Sequence, residues 1–351
     1  MTTDDQAAAH RVHLERLCAD GGPLTAHSRH ATTQYPEWFN VKRQQPRQER
    51  RALHDEILAA FVAAYPDVLR NRKAIVLAGP PGAGKSTAQD ALIAQTRTAQ
   101  DALIAQTRTA PEHWLSINPD DFKDELLVKA LADGSYDSYL VPDEVRELEA
   151  AGEKFYPREL AALFHNESSI LAKKAIRDAL DRGDNIIIDG TLSGEKNARA
   201  QLDALQAAGY DVKVADVETT RAVSEARTLG RWERGYLEAE NGIATGRDAE
   251  LGGRWVPQSF PASLFTTADA QESICAANAA AVATDYGCVS EYVVYRVADN
   301  DAGPTLQTAK GRAKPDGPLV DSETLAAVRA ASTTAREHRI RPQAHKDFGR
   351  H

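Results

Sequence analysis

The chain has 351 residues and a formal net charge of −9, with 42% apolar and 26% charged residues. That apolar fraction allows a sizeable core, and the acidic excess argues against a general nucleic-acid-binding protein. No run of about eighteen apolar residues is present, and the N-terminus lacks a secretory pattern, so we predict neither a membrane span nor export. With only three cysteines, none closely paired, the composition favours the cytoplasm.

Two basic segments run against the overall charge, at residues 42–51 and 336–350. Neither alternates with aromatic residues. A solvated face or a docking site for an acidic partner is therefore favoured over a nucleic-acid groove, and we predict no specific nucleic-acid partner.

Residues 1–70 contain no strand pattern and two predicted helices, Arg11–Cys18 and Arg50–Ala63. We expect these residues to form a helical extension that packs on a core comprising residues 71–300. Residues 301–351 are predicted to form a loop, a helix over Ser322–Arg336 and a tail.

A phosphate-binding motif opens the core. The apolar run Ala74–Ala78 predicts a buried strand, and G-x-x-x-x-G-K-[ST] follows it at Gly79, Pro80, Pro81, Gly82, Ala83, Gly84, Lys85 and Ser86, with Thr87 next. Its glycines let backbone N–H groups surround a phosphate, Lys85 adds a positive charge and the Ser86 hydroxyl can ligate Mg²⁺. The alternative is a tight Gly-Pro turn. The strand before the motif and the helical pattern after it favour a site for ATP or GTP with Mg²⁺.

An identical repeat follows this motif. The sequence AQDALIAQTRT occupies residues 88–98 and again 99–109. Eleven residues make close to three helical turns, so the second copy keeps the apolar face in phase and adds roughly 16 Å of helix. We expect a late in-frame duplication that lies on the surface.

Adjacent acids follow the second predicted strand, His113–Asn118. Asp120 and Asp121 are placed for proton abstraction or Mg²⁺ binding at the mouth of a phosphate site. A helix N-cap with a first-turn acid is an equally good interpretation.

A long predicted helix over Pro157–Arg182 contains five consecutive polar residues, His165–Ser169. A solvated turn explains them, but a patch that faces a ligand is also possible, with Glu167 as a substrate-binding candidate. The third predicted strand, Asn185–Gly190, ends in Asp189, which could hold Mg²⁺ through water or touch the substrate.

Arginines dominate the last part of the core. After the strand Asp211–Val217, Arg227, Arg231 and Arg234 share one helix face, either as a salt-bridged surface or to neutralise transferring phosphate. The glycine-rich segment 241–253 precedes Arg254 and suggests a mobile lid. A fifth strand at Glu291–Ala298 and a loop at Asn300–Gly317 complete an α/β pattern, which predicts a P-loop kinase-like parallel sheet with helices on both faces.

On these residues the chain resembles the zeta-toxin-type kinases, from about Arg72 to Val297. The likeness rests on the phosphate loop, on D-x-F-K at Asp120–Lys123, on I-[DE]-G-T at Ile188–Thr191 and on the later arginines. Members of that family resemble P-loop nucleotide kinases and phosphorylate a UDP-activated amino sugar, typically UDP-N-acetylglucosamine at its 3′-hydroxyl. The sequence departs from the family by carrying Asp at position 189 in place of Glu, and residues 1–70 match nothing in it.

The resemblance implies a role for each matching residue. Asp120 would be the catalytic base, Asp189 and Thr191 would hold the sugar, and Arg231 and Arg254 would stabilise the transferring phosphate. It also implies a small antitoxin that blocks the nucleotide site. The alternatives are a P-loop kinase of an antibiotic, a nucleoside or a dinucleotide, and a nucleotide-binding switch without turnover.

The repeat generates a first prediction. Deleting residues 99–109 leaves one helix of ordinary length between the phosphate loop and the next strand, so the variant should fold with an undiminished melting temperature. An unfolded variant would contradict the surface-insertion hypothesis. The kinase rates of the full-length protein and the deletion variant should also be compared. If the second copy impairs the enzyme, the deletion variant has the higher rate.

Overall fold

The computed structural model describes residues 3–95, 111–315, 317–321 and 323–328. Of the tandem repeat, only residues 88–95 fall in this range. Most of the duplicated sequence lies outside the described residues, and so does the predicted helix beyond residue 328. Residues 323–328 are helical, as predicted for the start of that helix.

A seven-stranded sheet forms the centre of the molecule, in the order β4-β5-β3-β6-β7-β8-β9. Neighbours from β4 to β7 pair in parallel, whereas β8 and β9 add an antiparallel edge. A separate antiparallel pair, β1 and β2, lies in the N-terminal region. The strands are β1 (Phe39–Asn40), β2 (Gln45–Pro46), β3 (Lys73–Ala78), β4 (Leu115–Ile117), β5 (Ile186–Ile188), β6 (Asp211–Thr219), β7 (Val289–Val297), β8 (Thr305–Gly311) and β9 (Val320–Asp321).

Helices precede the sheet and connect its strands. They are α1 (Thr3–Leu17), α2 (Gln48–Ala63), α3 (Lys85–Gln95), α4 (Pro119–Ala132), α5 (Asp143–Ala150), α6 (His165–Arg182), α7 (Glu195–Ala207), α8 (Arg221–Glu240), α9 (Arg247–Leu251), α10 (Ser259–Ser263) and α11 (Ile274–Asp285). A 3₁₀ segment, Pro157–Phe164, comes directly before α6. No helix in the described part of the chain combines the length and apolar character needed to cross a bilayer.

The predicted fold class is confirmed, because five parallel strands alternate with helices. Side chains of β3 alternate between two apolar clusters, with Val76 in one and Ile75 in the other. The sheet is thus buried on both faces, as a parallel sheet between helical layers requires.

Three details differ from the sequence predictions. Residues 305–311, predicted as loop, form β8, whose mostly exposed side chains lack apolar alternation because it pairs near the sheet edge through its backbone. The predicted helix over Pro157–Arg182 divides into the 3₁₀ segment and α6, so the polar residues 165–169 begin a helix rather than interrupt one. The N-terminal region contains the short β1–β2 pair, which no alternation predicts.

The N-terminal extension packs on the core as predicted, although its boundary at residue 70 stays a prediction. Leu14 and Ile57 belong to the same apolar cluster as the sheet residue Val76. The fully buried His10 ring lies 3.1 Å from a carboxylate oxygen on each side, with Nδ1 facing Glu153 and Nε2 facing Glu159. Burial lowers the pKa of His10, but the two carboxylates outweigh it, so the pKa is raised.

The His10 environment predicts a pH-dependent contribution to stability. A raised folded-state pKa stabilises the fold fully below the ordinary pKa of 6.5, and this is lost as pH rises through the folded value. The free energy of unfolding should therefore differ between wild type and His10→Gln more at about pH 5.5 than at about pH 9. Chemical denaturation across this range measures it.

His13→Gln is the matched control, since His13 lies in the same helix, 3.7 Å from Glu153, with a partly exposed ring. A wild-type minus His10→Gln difference that stays constant with pH would mean that folding does not raise the pKa of His10.

Candidate active site

The phosphate loop lies at the carboxyl end of β3, in the middle of the sheet. Gly79 has φ of 122°, and a Cβ there would overlap the carbonyl oxygen of Val217 on β6. Its N–H donates to the Thr191 carbonyl at 3.2 Å, which ties the loop to the segment after β5. The first glycine of the motif is thus required by the close approach of two strands.

The cationic and hydroxyl groups of the motif lie at the N-terminus of α3, which begins at Lys85. The Lys85 ammonium donates to the carbonyl oxygens of Gly79 and Pro80 at 3.0 and 3.1 Å. Ser86 and Thr87 are exposed. The loop therefore presents a charge and a hydroxyl beside the positive end of a helix dipole.

Helix α8 supports the phosphate loop from outside. Ser224 donates to the Pro81 carbonyl at 2.7 Å. The guanidinium of Arg227 donates to backbone carbonyls of two segments, those of residues 82, 299, 300 and 302. Of the three arginines predicted to share a face, Arg227 thus holds backbone in place instead of facing the cleft.

Asp120 lies in the first turn of α4, and the N-cap is Asn118. The Asn118 side chain accepts from the Asp120 N–H at 2.9 Å and donates to Asp189 at 3.1 Å. The capping alternative for Asp120 is therefore excluded, which leaves its carboxylate for other partners. Those partners are cations, with Lys123 on Oδ1 and Arg254 on Oδ2, both at 2.7 Å.

The charges around Asp120 control its protonation. Removal of water around the carboxylate raises its pKa, but the positive charges of Lys123, Arg254 and Arg231 outweigh this and hold the pKa below its ordinary range. Asp121 differs, because desolvation and the neighbouring carboxylates outweigh Arg254 and raise its pKa. The two adjacent acids are therefore distinct, and only Asp120 is paired with cations.

Arg231 and Asp189 face the same cleft. The Arg231 guanidinium makes no hydrogen bond or ion pair with any described residue, yet Asp120, Asp189 and Arg254 all lie close enough to affect its pKa. Desolvation raises the pKa of Asp189, and Lys85, Arg231 and Arg254 oppose it. The structure thus brings together five side chains that the sequence singled out: Lys85, Asp120, Asp189, Arg231 and Arg254.

Thr191 follows Asp189 at the edge of this group. Its hydroxyl donates to Ser193 Oγ at 2.9 Å and accepts from the Ser193 N–H at 3.3 Å. The contact with Gly79 through its carbonyl places it beside the phosphate loop.

Glu167 stands apart from this group. Its side chain is fully buried, and its carboxylate accepts from Arg50 at 2.6 and 2.9 Å and from His54 at 2.6 Å. Burial raises its pKa, but His54 and Arg50 lower it to about 2. Because both oxygens are bonded to side chains of α2, we assign Glu167 to anchoring the extension and not to substrate contact.

Sequence reasoning missed three residues that complete the cleft: Lys123, Asp124 and Arg158. Lys123 was part of a recognised motif but had no assigned role. Asp124 follows Asp120 by one helical turn, so its place on the same face could have been read from the spacing. Arg158 lies in a 3₁₀ segment distant in sequence, and no local pattern indicates it.

The loop fits a nucleotide phosphate with magnesium. Gly79, Gly82 and Gly84 have positive φ, and the chain turns through them into the start of α3. Within the described residues, no three His, Cys, Asp or Glu side chains are grouped so as to hold a metal ion by themselves. A magnesium ion here would therefore depend on Ser86 and on the nucleotide phosphates.

The match to a family model agrees with this geometry. Residues 126–297 match the family described as Zeta toxin. This segment is similar to the zeta toxin family over about half of the chain. The matched segment contains Asp189, Arg231 and Arg254 and begins after the phosphate loop and Asp120.

Several solved structures are similar to this chain at low sequence identity. The complex AvrRxo1-ORF1:-ORF2 with ATP is 16% identical over 87% of this chain and 76% of that one, with a TM-score of 0.48. A second structure of that pair, with sulphate ions, is 17% identical over 81% and 73%, with the same TM-score. A structure from the PezAT toxin-antitoxin system of Streptococcus pneumoniae is 14% identical over 84% and 96%, at 0.41. Curated proteins gave no match.

The Glu167 geometry predicts a stability effect without a binding effect. Glu167→Ala leaves Arg50 buried without its carboxylate, which should cost about 3–5 kcal/mol of unfolding free energy. At a temperature where the variant stays folded, its affinity for nucleotide and acceptor should equal that of wild type. A raised KM with an unchanged melting temperature would restore the substrate-binding hypothesis.

Proposed function

We propose that this protein is a kinase that transfers the γ-phosphoryl group of ATP or GTP to a hydroxyl of a nucleotide sugar of the UDP-N-acetylglucosamine type. One observation carries the proposal. Asp120 lies between two cations beside a phosphate loop, at the carboxyl edge of a parallel sheet. A nucleotide-binding switch would need the loop but neither the acid nor the arginines.

In this proposal the nucleotide phosphates bind at Gly79–Thr87. Backbone N–H groups and the start of α3 face the phosphates, and Lys85 exchanges its carbonyl partners for phosphate oxygens. Ser86 would hold Mg²⁺, which neutralises charge on the phosphates when bound. Ser224 and Arg227 hold the loop in place through the backbone carbonyls of Pro81 and Gly82.

Asp120 acts as the base for the acceptor hydroxyl. The low pKa of Asp120 keeps its carboxylate ionised. In a loose transition state the base has little to do until the hydroxyl oxygen has begun to bond to phosphorus, so a weak base suffices. Both carboxylate oxygens are paired with cations, so one must be released before the proton is accepted. Arg254 is the partner to release, because developing charge on the phosphoryl group attracts the same guanidinium.

Arg231 and Arg254 neutralise charge on the transferring group. Arg231 has no protein partner among the described residues, so its guanidinium donors are available to phosphate oxygens. Asp189 and Thr191 border the same cleft next to the phosphate loop, where they would hold the sugar of the acceptor.

The match to the zeta toxin family also bears on the biological role of the protein. We infer that the protein acts in the cytoplasm as the toxin of a toxin-antitoxin pair, with a small antitoxin as its partner. Members of this family act in such pairs, and the domain match supports that role.

The experiment is to incubate the purified protein with ATP or GTP, Mg²⁺ and a panel that includes UDP-N-acetylglucosamine, other nucleotide sugars, nucleosides and an aminoglycoside. Mass spectrometry should detect a phosphorylated nucleotide sugar. Lys85→Ala should reduce the rate by about 100- to 1,000-fold, because it removes a preorganised charge. An unchanged rate in Lys85→Ala would contradict the kinase proposal, and a different phosphorylated acceptor would change the proposed substrate. Expression should slow bacterial growth, and Lys85→Ala should relieve it.

A paired substitution tests the identity of the base. Asp120→Asn should lower kcat by about 10²- to 10⁴-fold while the KM for ATP changes little, since the acid acts on the acceptor hydroxyl. Asp121→Asn is the matched control and should retain most activity. If Asp121→Asn proves the more damaging of the two, the base is Asp121 and the assignment is wrong by one residue.

A further inference from the structure

A buried carboxylate behind the cleft joins two arginines. Asp124 lies one turn after Asp120 on α4, and its side chain is 11% exposed. Arg158 donates to it through Nε at 3.2 Å to each oxygen and through Nη2 at 2.9 Å. Arg254 adds a further bond to the same carboxylate, at 3.2 Å.

Arg158 also holds the segment that carries Arg254. Its Nη1 donates to Asp248 of α9 at 2.6 Å and to the Gly252 carbonyl at 3.0 Å. Gly252 has φ of 72°, and a Cβ there would overlap the Tyr156 side chain. The backbone two residues before Arg254 is thus fixed on two sides, by a guanidinium and by an aromatic ring.

The Arg254 guanidinium therefore bridges two carboxylates of one helix, Asp120 and Asp124. A long arginine side chain loses rotamer entropy when it is fixed in one position, and a second fixed acceptor reduces the loss that remains at the moment of reaction. Without Asp124, Arg254 would keep a single partner, the proposed base itself. Its guanidinium would then be free to rotate about that one contact.

We propose that Asp124 and Arg158 are positioning residues that hold Arg254 at the point where charge develops. The inference rests on the proposed function. Asp124 fixes the guanidinium, and Arg158 fixes both Asp124 and the lid backbone. Neither residue contacts substrate, so their effect on the reaction passes through Arg254.

The test is a double-mutant cycle on kcat. Asp124→Asn should lower kcat on the order of 10- to 100-fold with the KM for ATP nearly unchanged, because misplacing one catalytic group by about 1 Å has this effect. In an Arg254→Ala background, Asp124→Asn should cause no further loss. Arg158→Lys, which keeps the charge but loses the planar fork, should fall between wild type and Asp124→Asn.

The matched control is Glu125→Gln. Glu125 is the next residue of α4 and pairs with Arg247 of α9 at 2.6 Å, so it contacts the same lid without touching Arg254. Its kcat should stay within about twofold of wild type. An unchanged kcat in Asp124→Asn, or an equal loss in both backgrounds, would overturn the inference.

A second measurement does not depend on turnover. Hydrogen exchange of backbone amides at residues 247–254 should speed up in Asp124→Asn and not in Glu125→Gln. If wild type phosphorylates no acceptor, the proposed function fails and this measurement still decides the inference. Unchanged exchange in Asp124→Asn would then reject Asp124 as the residue that holds the lid.

Discussion

Parallel pairing on both sides of β3 is the constraint on which the cleft depends. Because β3 lies between β5 and β6, and β4 lies beyond β5, the carboxyl ends of four strands meet at one edge. The phosphate loop follows β3, Asp120 follows β4 and Asp189 follows β5. A one-residue shift in either pairing would move an acid to the opposite face of the sheet, since side chains alternate along a strand.

Helix α8 connects the cleft with the N-terminal extension. Near its start Ser224 and Arg227 hold the phosphate loop, in its middle Arg231 faces the cleft, and Trp232 donates to the buried Glu159 at 2.8 Å. The same carboxylate faces His10 of the extension. His10 of the extension is thus linked through Glu159 to Trp232, the neighbour of Arg231 on α8. The packing of the extension therefore bears on the site and not only on stability.

The sequence predicted the parts of the site that depend on local chemistry. The phosphate loop, Asp120 and Asp189 follow directly after strands, so a strand pattern and a motif suffice to place them. The spacing of the arginines on one helix face and the glycine-rich segment singled out Arg231 and Arg254. The family resemblance then implied a shared role for them at the transferring phosphate. Glu167 was misjudged for a physical reason: a charge inside an apolar helix pattern indicates either a ligand or a distant buried partner, and only the fold reveals Arg50. The strand β8 escaped prediction because an exposed strand near the sheet edge needs no apolar alternation.

Three carboxylates of this protein differ in their surroundings, and the difference distinguishes structural carboxylates from one suited to catalysis. Glu159 and Glu167 are fully buried, and both are bonded to side chains from distant parts of the chain, although Glu159 also accepts from the nearby Tyr156 N–H. Folding brings the partners of such a buried carboxylate into place. The carboxylate can therefore hold two elements together, but losing a partner would leave a buried charge unpaired, which is costly. Asp120 keeps a third of its side chain accessible and is paired with two cations that phosphate could also attract. A group that can exchange one partner for another within a cleft is suited to proton transfer, whereas a group locked on all sides is not. On this physical ground Asp120, and neither of the buried glutamates, is the base in the proposed reaction.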